Sequence, residues 1–185
     1  MFSAIKFKAQ FVDAGIALLI AAGLAFGPGV ASAQQKHKYF FKPPPGTTKF
    51  TQTHLMDVGD VPGHQIRIAE LQSKFPGEAP MYDGLKVVEA RAVLVSDYID
   101  GNGSSFTYGV STLENGDKIF SRTEILAHTA VVDGARRTSF TSVATLTGGT
   151  GRFKGIRGTL RGSGFSDMKT ATSGTQTEGE YWFEK

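Results

Sequence analysis

The sequence predicts an all-β fold, an eight-stranded antiparallel β-barrel. Beyond the first 33 residues, no long segment repeats apolar residues at i, i+3, i+4, i+7 as a buried helix face would. Instead, β-branched and aromatic stretches recur roughly every 10–15 residues, each closed by a cluster of Gly, Asp or Asn. A chain of 185 residues, 40% hydrophobic and 11% aromatic, suits one globular domain with a real core. It has no Cys, which excludes disulfides, thiolate metal sites and a thiol nucleophile. A net charge of +3 over this length is too weak a field to indicate nucleic acid as a partner.

Residues 1–33 read as an export signal. Lys6 and Lys8 form a positive start, and the 12 residues Gly15–Phe26 form an apolar run. Gly27-Pro28-Gly29 breaks it, and Ala31-Ser32-Ala33 supplies small residues at a cleavage site. The run is shorter than the roughly 20 residues of a membrane span, so no stable span is expected in the mature chain. Cleavage after Ala33 would leave a periplasmic or secreted protein beginning at Gln34.

Residues 34–48 read as a Lys/Pro-rich linker. Pro43-Pro44-Pro45 favours an extended, stiff conformation, and Tyr39, Phe40 and Phe41 leave open a surface-binding arm. The barrel domain then covers 49–185. Its expected strands are Lys49–Met56, His64–Ser73, Leu85–Tyr98, Ser104–Leu113, Lys118–Val131, Arg136–Leu146, Gly155–Phe165 and Thr175–Phe183.

Turn chemistry sets the register. Asn115-Gly116 reads as a two-residue hairpin loop with positive φ at both positions, which places Phe106 opposite Ile125, Tyr108 opposite Thr123 and Val110 opposite Ser121. Asp133-Gly134 reads the same way and places Phe140 beside Ala127, Ser142 beside Ile125 and Ala144 beside Thr123. Asp100-Gly101-Asn102-Gly103 makes a longer corner. Short loops after Tyr82 favour a closed barrel over a Greek-key sandwich, and eight strands leave an interior for side chains or one small ligand.

The most distinctive stretch is the glycine-rich Thr147–Gly164. No helix pattern follows it, which argues against a phosphate cradle. It reads as a tight corner, with Gly149 and Gly151 at positive φ and Phe153 plugging the barrel end. On the next strand, Ile156, Gly158, Leu160, Gly162 and Gly164 share a face; those glycines leave either a void for a ligand or freedom to curve.

Gly148, Gly149, Thr150, Gly151, Phe153, Gly155 and Gly158 resemble the corner of allene oxide cyclase and dirigent proteins. The resemblance implies an eight-stranded barrel with a small apolar cavity, no cofactor, and dimers or trimers. With the signal segment it would describe an exported bacterial member. Members cyclise a reactive lipid epoxide or steer the coupling of phenolic radicals. The first expected strand lacks the Glu, Asn and Tyr pattern of the cyclases, so no catalytic residue carries over.

The lumen candidates are therefore Phe106, Tyr108, Val110, Ile125, Phe140, Ile156 and Leu160, binding a small hydrophobic or aromatic molecule. Glu89 and Arg91 form a surface pair if Val88, Ala90, Ala92 and Leu94 face inward, and an acid/base or anion site if they do not. His37, His54, His64 and His128 are not spaced as a metal-ligand set. The function expected is ligand binding in an exported barrel, with a cofactor-free isomerase, cyclase or dirigent-type enzyme as the alternative.

Overall fold

The computed structural model describes residues 34–167 and 172–184; the signal segment lies outside the described residues. The chain from Gln34 onward forms one compact unit, antiparallel throughout. Its strands are β1 (His37–Phe41), β2 (Thr48–Asp57), β3 (His64–Lys74), β4 (Met81–Tyr82), β5 (Leu85–Ile99), β6 (Asn102–Leu113), β7 (Lys118–Val132), β8 (Ala135–Gly149), β9 (Ile156–Asp167) and β10 (Thr172–Phe183). All eight expected strands are present. β1 and β4 are additions, and β1 corrects the reading of residues 34–48 as linker throughout.

The strand order is β1-β10-β9-β8-β7-β6-β5-β3-β2, with β4 folded back on β5. Neighbours in sequence are neighbours in space, except that β1 returns to pair with the last strand. The all-β antiparallel architecture is the one expected. The two ends of the order, β1 and β2, share no strand pairing, so the barrel-like sheet curls around its core without closing.

Asp-Gly turns set three of the hairpins. Asp83-Gly84, Asp100-Gly101 and Asp133-Gly134 have φ of 46 and 79, 51 and 81, and 51 and 75 degrees. Both central residues are left-handed, the geometry whose twist matches paired strands. The corner at Asp100 is therefore a two-residue loop. Across Asp133-Gly134 the expected pairs are observed: Ala127 with Phe140, Ile125 with Ser142, Thr123 with Ala144.

The β6–β7 hairpin differs. Only Gly116 is left-handed, at 86 degrees, and Gly116 N donates to Leu113 O at 2.9 Å while Leu113 N donates to Asp117 O at 2.8 Å. Asn115 stays in an ordinary turn conformation because its side chain is held by Asp117, accepting from Asp117 N at 3.0 Å and donating to Asp117 Oδ2 at 2.9 Å. The loop gains one residue, and the register shifts by one. Phe106 faces Glu124 and Tyr108 faces Arg122, while Ser105 faces Ile125 and Thr107 faces Thr123. A one-residue slip moves every side chain to the other face.

The core fills one end of the curl. Phe153, from a 3-10 turn at Gly151–Phe153, and Ile156 are fully buried. Val87, Leu113, Ile119, Leu146, Leu160 and Tyr181 pack around them. Gly149 has an ordinary φ, contrary to expectation; it is small because the Lys118 and Phe153 carbonyls crowd it. Gly151 is left-handed at 52 degrees, and a β-carbon there would strike the Asp117 carboxylate.

Side chains join β1 and β10 to β4, with which they share no backbone ladder. Tyr39 on β1 stacks on Tyr82 of β4 at 4.9 Å, and Tyr82 meets the Tyr181 ring edge-on at 5.3 Å. Asp83 N donates to the Tyr181 hydroxyl at 2.8 Å, and Arg152 pairs with Asp83 at 2.6 Å. Burial pushes the Tyr39 hydroxyl up to about 12, against the lowering effect of its hydrogen bond with Tyr82, and holds Tyr82 well above its ordinary value. These phenols stay neutral and act as hydrogen-bonding wedges.

Candidate ligand-binding site

Which face of each strand is inside follows from the core. Val87, Leu113, Ile119, Leu146, Leu160 and Tyr181 all point into the curl, so the residues alternating with them point out. Beyond the packed end, two rows of inward side chains cross the sheet. One runs Ala69, Leu94, Thr107, Thr123, Ala144, Leu160; the next runs Arg67, Ser96, Ser105, Ile125, Ser142, Gly162. Both consist mostly of small residues. Their β5–β6 part is buried, whereas Thr123, Ile125, Ser142 and Ala144 are half-buried, so the β7–β8 wall stays open to solvent.

The lumen candidates divide by face. Phe106, Tyr108 and Val110 lie outside, and Tyr108 is 57% exposed. Their assignment to the lumen is corrected, because it rests on the shorter Asn-Gly loop. Ile125 and Phe140 do face inward. So do Ile156 and Leu160, but both are buried in the packed end and offer a guest little free surface. The β9 glycines have a further use: the Phe140 ring lies where a Gly164 side chain would be, and Tyr181 packs on Gly158. Their missing side chains make room for the Phe140 ring at Gly164 and for the neighbouring β10 backbone at Gly158.

Glu89 and Arg91 lie outside as a pair at 3.0 Å, the surface alternative. Gln72 Nε2 also donates to Glu89 at 2.8 Å, and this bond, with Arg91 beside it, lowers the Glu89 pKa. An exposed pair of this kind contributes little to stability. His64 sits between Asp97, 2.8 Å from Nε2, and Asp60, 2.6 Å from Nδ1; these two hydrogen bonds raise its pKa.

The polar group that matters most inside is absent from the sequence candidates. Arg67 points inward between Leu55 and Ser96. Its guanidinium lies over the rings of Phe50, at 5.2 Å, and Tyr98, at 5.9 Å. No ion pair or hydrogen bond holds it among the described residues, and its Nε is buried without a partner. Beside it, the Ser96 hydroxyl is also buried and unpartnered, in a residue 2% exposed. Leaving such a group unsatisfied costs about 1–3 kcal/mol. The Tyr98 hydroxyl and Ser105 Oγ lie 3.0 Å apart on the adjoining wall.

A groove of about 650 Å³ lies over β6–β9, walled mainly by the outward Phe106, Arg122, Glu124, Leu126, Val143 and Arg161, with Ser105, Ile125, Ser142 and Gly162 of the inward row also touching it. Arg122 and Glu124 pair across it at 3.3 Å. A second outer groove of about 870 Å³ lies along β1, β10 and β9 beside Trp182.

No protein-family model and no curated protein matches the chain. Among solved structures, it is similar to a pterocarpan synthase dirigent protein, with 16% identity and a TM-score of 0.40. The alignment covers 83% of this chain and 96% of that one.

Proposed function

We propose that the chain is an exported binding protein that seats a small apolar or aromatic molecule on the concave face of its curled sheet. The observation that carries this reading is the pair of inward rows beyond the packed end. Ser, Thr, Ala and Gly predominate there, so little side-chain volume stands between the sheet and a guest. Phe140 and Ile125 supply apolar wall, and the hydroxyls of Thr107, Thr123 and Ser142 supply a few polar contacts. Export is supported by the order of charged, apolar and small-residue segments in residues 1–33, which sets the mature start at Gln34. The Thr147–Gly158 corner supports a place among barrels of the allene oxide cyclase and dirigent type.

Binding of N-phenyl-1-naphthylamine, a neutral aromatic probe that brightens in apolar surroundings, tests the seat. The wild type should bind it saturably. Ser142→Trp, which fills the concave face, should weaken binding at least about tenfold, or ~1.4 kcal/mol, with circular dichroism unchanged. Leu126→Ser, in the outer groove, should leave affinity as it was. Full binding by Ser142→Trp together with loss in Leu126→Ser would move the site to the outside.

A further inference from the structure

Ser96 and Arg67 present a combination that folding alone leaves unexplained. Ser96 lies opposite Arg67 on one side and Ser105 on the other, near the middle of the concave wall. Its hydroxyl is buried with no partner, and so is Arg67 Nε. Buried polar groups are ordinarily satisfied, so an orphan beside an inward-facing guanidinium points to an absent partner. Arg67 is also held in place without being neutralised. The Phe50 and Tyr98 rings flank it at 5.2 and 5.9 Å, an arrangement that positions a guanidinium and strips water from its faces while leaving its charge unpaired. No carboxylate lies within ion-pair distance among the described residues.

We propose that Arg67 and Ser96 seat the carboxylate of an amphipathic ligand, with its apolar body running along the small-residue rows toward Ile125 and Phe140. The inference rests on the concave seat proposed above and adds a chemical class to it: an aliphatic or aromatic carboxylic acid. A guanidinium presents paired N–H donors that match the two oxygens of a carboxylate, and a neighbouring hydroxyl can donate to the same group. Thr107, Thr123 and Ala144 form the adjoining row, over which an alkyl or aryl body meets no charged side chain. The Tyr98 hydroxyl is engaged with Ser105 at 3.0 Å, whereas Arg67 Nε and the Ser96 hydroxyl are buried without partners.

The test uses matched displacers of N-phenyl-1-naphthylamine from the mature protein, decanoate and decanol. They share an alkyl chain and differ in the anionic end. In Arg67→Gln the decanoate concentration for half-displacement should rise about tenfold or more, the loss expected for a charge-assisted pair. The decanol value should move less than about twofold, since its contacts are apolar. Arg67→Lys should retain part of the preference for decanoate. Ser96→Ala should weaken decanoate about threefold or more, the worth of one hydrogen bond, while leaving the melting temperature equal or higher, because an unsatisfied buried hydroxyl is gone. Equal shifts for both displacers, or none for either, would overturn the anion seat while leaving the concave site standing. If the probe fails to bind the wild type, the concave seat falls. Calorimetric titration with decanoate alone then decides the anion seat, and absence of heat overturns it.

Discussion

Tyr82→Ala should lower the unfolding free energy by about 3–5 kcal/mol, the usual loss for a large buried ring. Tyr82 of β4 is 5% exposed and packs against Tyr39 of β1 and Tyr181 of β10, joining β4 to a strand pair with which it shares no backbone ladder. Removing its ring opens a cavity and takes away the surface on which Tyr39 of β1 stacks. It also leaves the Tyr39 hydroxyl without its bond to Tyr82 in surroundings dry enough to hold its pKa near 12. Tyr82→Phe keeps the ring and should cost only about 1 kcal/mol, for one lost hydrogen bond. Urea unfolding of the three proteins measures both differences. A loss below about 1.5 kcal/mol in Tyr82→Ala would show that the tyrosines do not hold the curl together.

Gly151→Val should cost more than about 2 kcal/mol, combining a β-branched residue at positive φ with a steric conflict. The conflict is specific: the carboxylate of Asp117, which accepts from Arg152 N at 3.2 Å, occupies the space. Thr150 Oγ1 accepts from Lys118 N at 2.8 Å in the same corner, so Asp117 cannot retreat without disturbing the β6–β7 loop. Gly134 is a natural control. Its φ is 75 degrees, but nothing lies within 4 Å of where its β-carbon would be. Gly134→Ala should therefore cost only the backbone term, about 1 kcal/mol, and Gly151→Ala distinctly more. Equal melting temperatures for the two alanine variants would contradict the crowding of the corner.

The strands are legible in the sequence because turn residues punctuate them so regularly. Asp133-Gly134 also discloses its register, since Asp tolerates the left-handed conformation that a two-residue loop demands. Asn115-Gly116 does not. An Asn-Gly pair fits either a two-residue loop or a longer turn with only the glycine left-handed, and the Asn115–Asp117 contact selects the second. That single residue carries Phe106, Tyr108 and Val110 outside. β1 is hard to read because lysines and prolines surround His37–Phe41, although Tyr39 and Phe41 alternate inward as a strand requires. Arg67 is hidden by the opposite effect. Ile66 and Ile68 mark the apolar side of β3, yet that side faces solvent, with Ile68 50% exposed. A curled sheet that is apolar on its outer wall breaks the usual link between apolar alternation and the interior, and Arg67, although inward, looks from sequence like a surface residue.

Because the chain has no native cysteine, single cysteines can report directly where a guest sits. Ser142→Cys places a thiol on the concave face, and Leu126→Cys places one in the outer groove. Each variant is reacted with methyl methanethiosulfonate with and without saturating N-phenyl-1-naphthylamine, and the rate of modification is followed by mass spectrometry. The concave seat predicts that the probe slows modification of the Ser142→Cys variant at least about fivefold and leaves the Leu126→Cys variant unchanged. Protection of the Leu126→Cys thiol, with no change at the concave one, would contradict it.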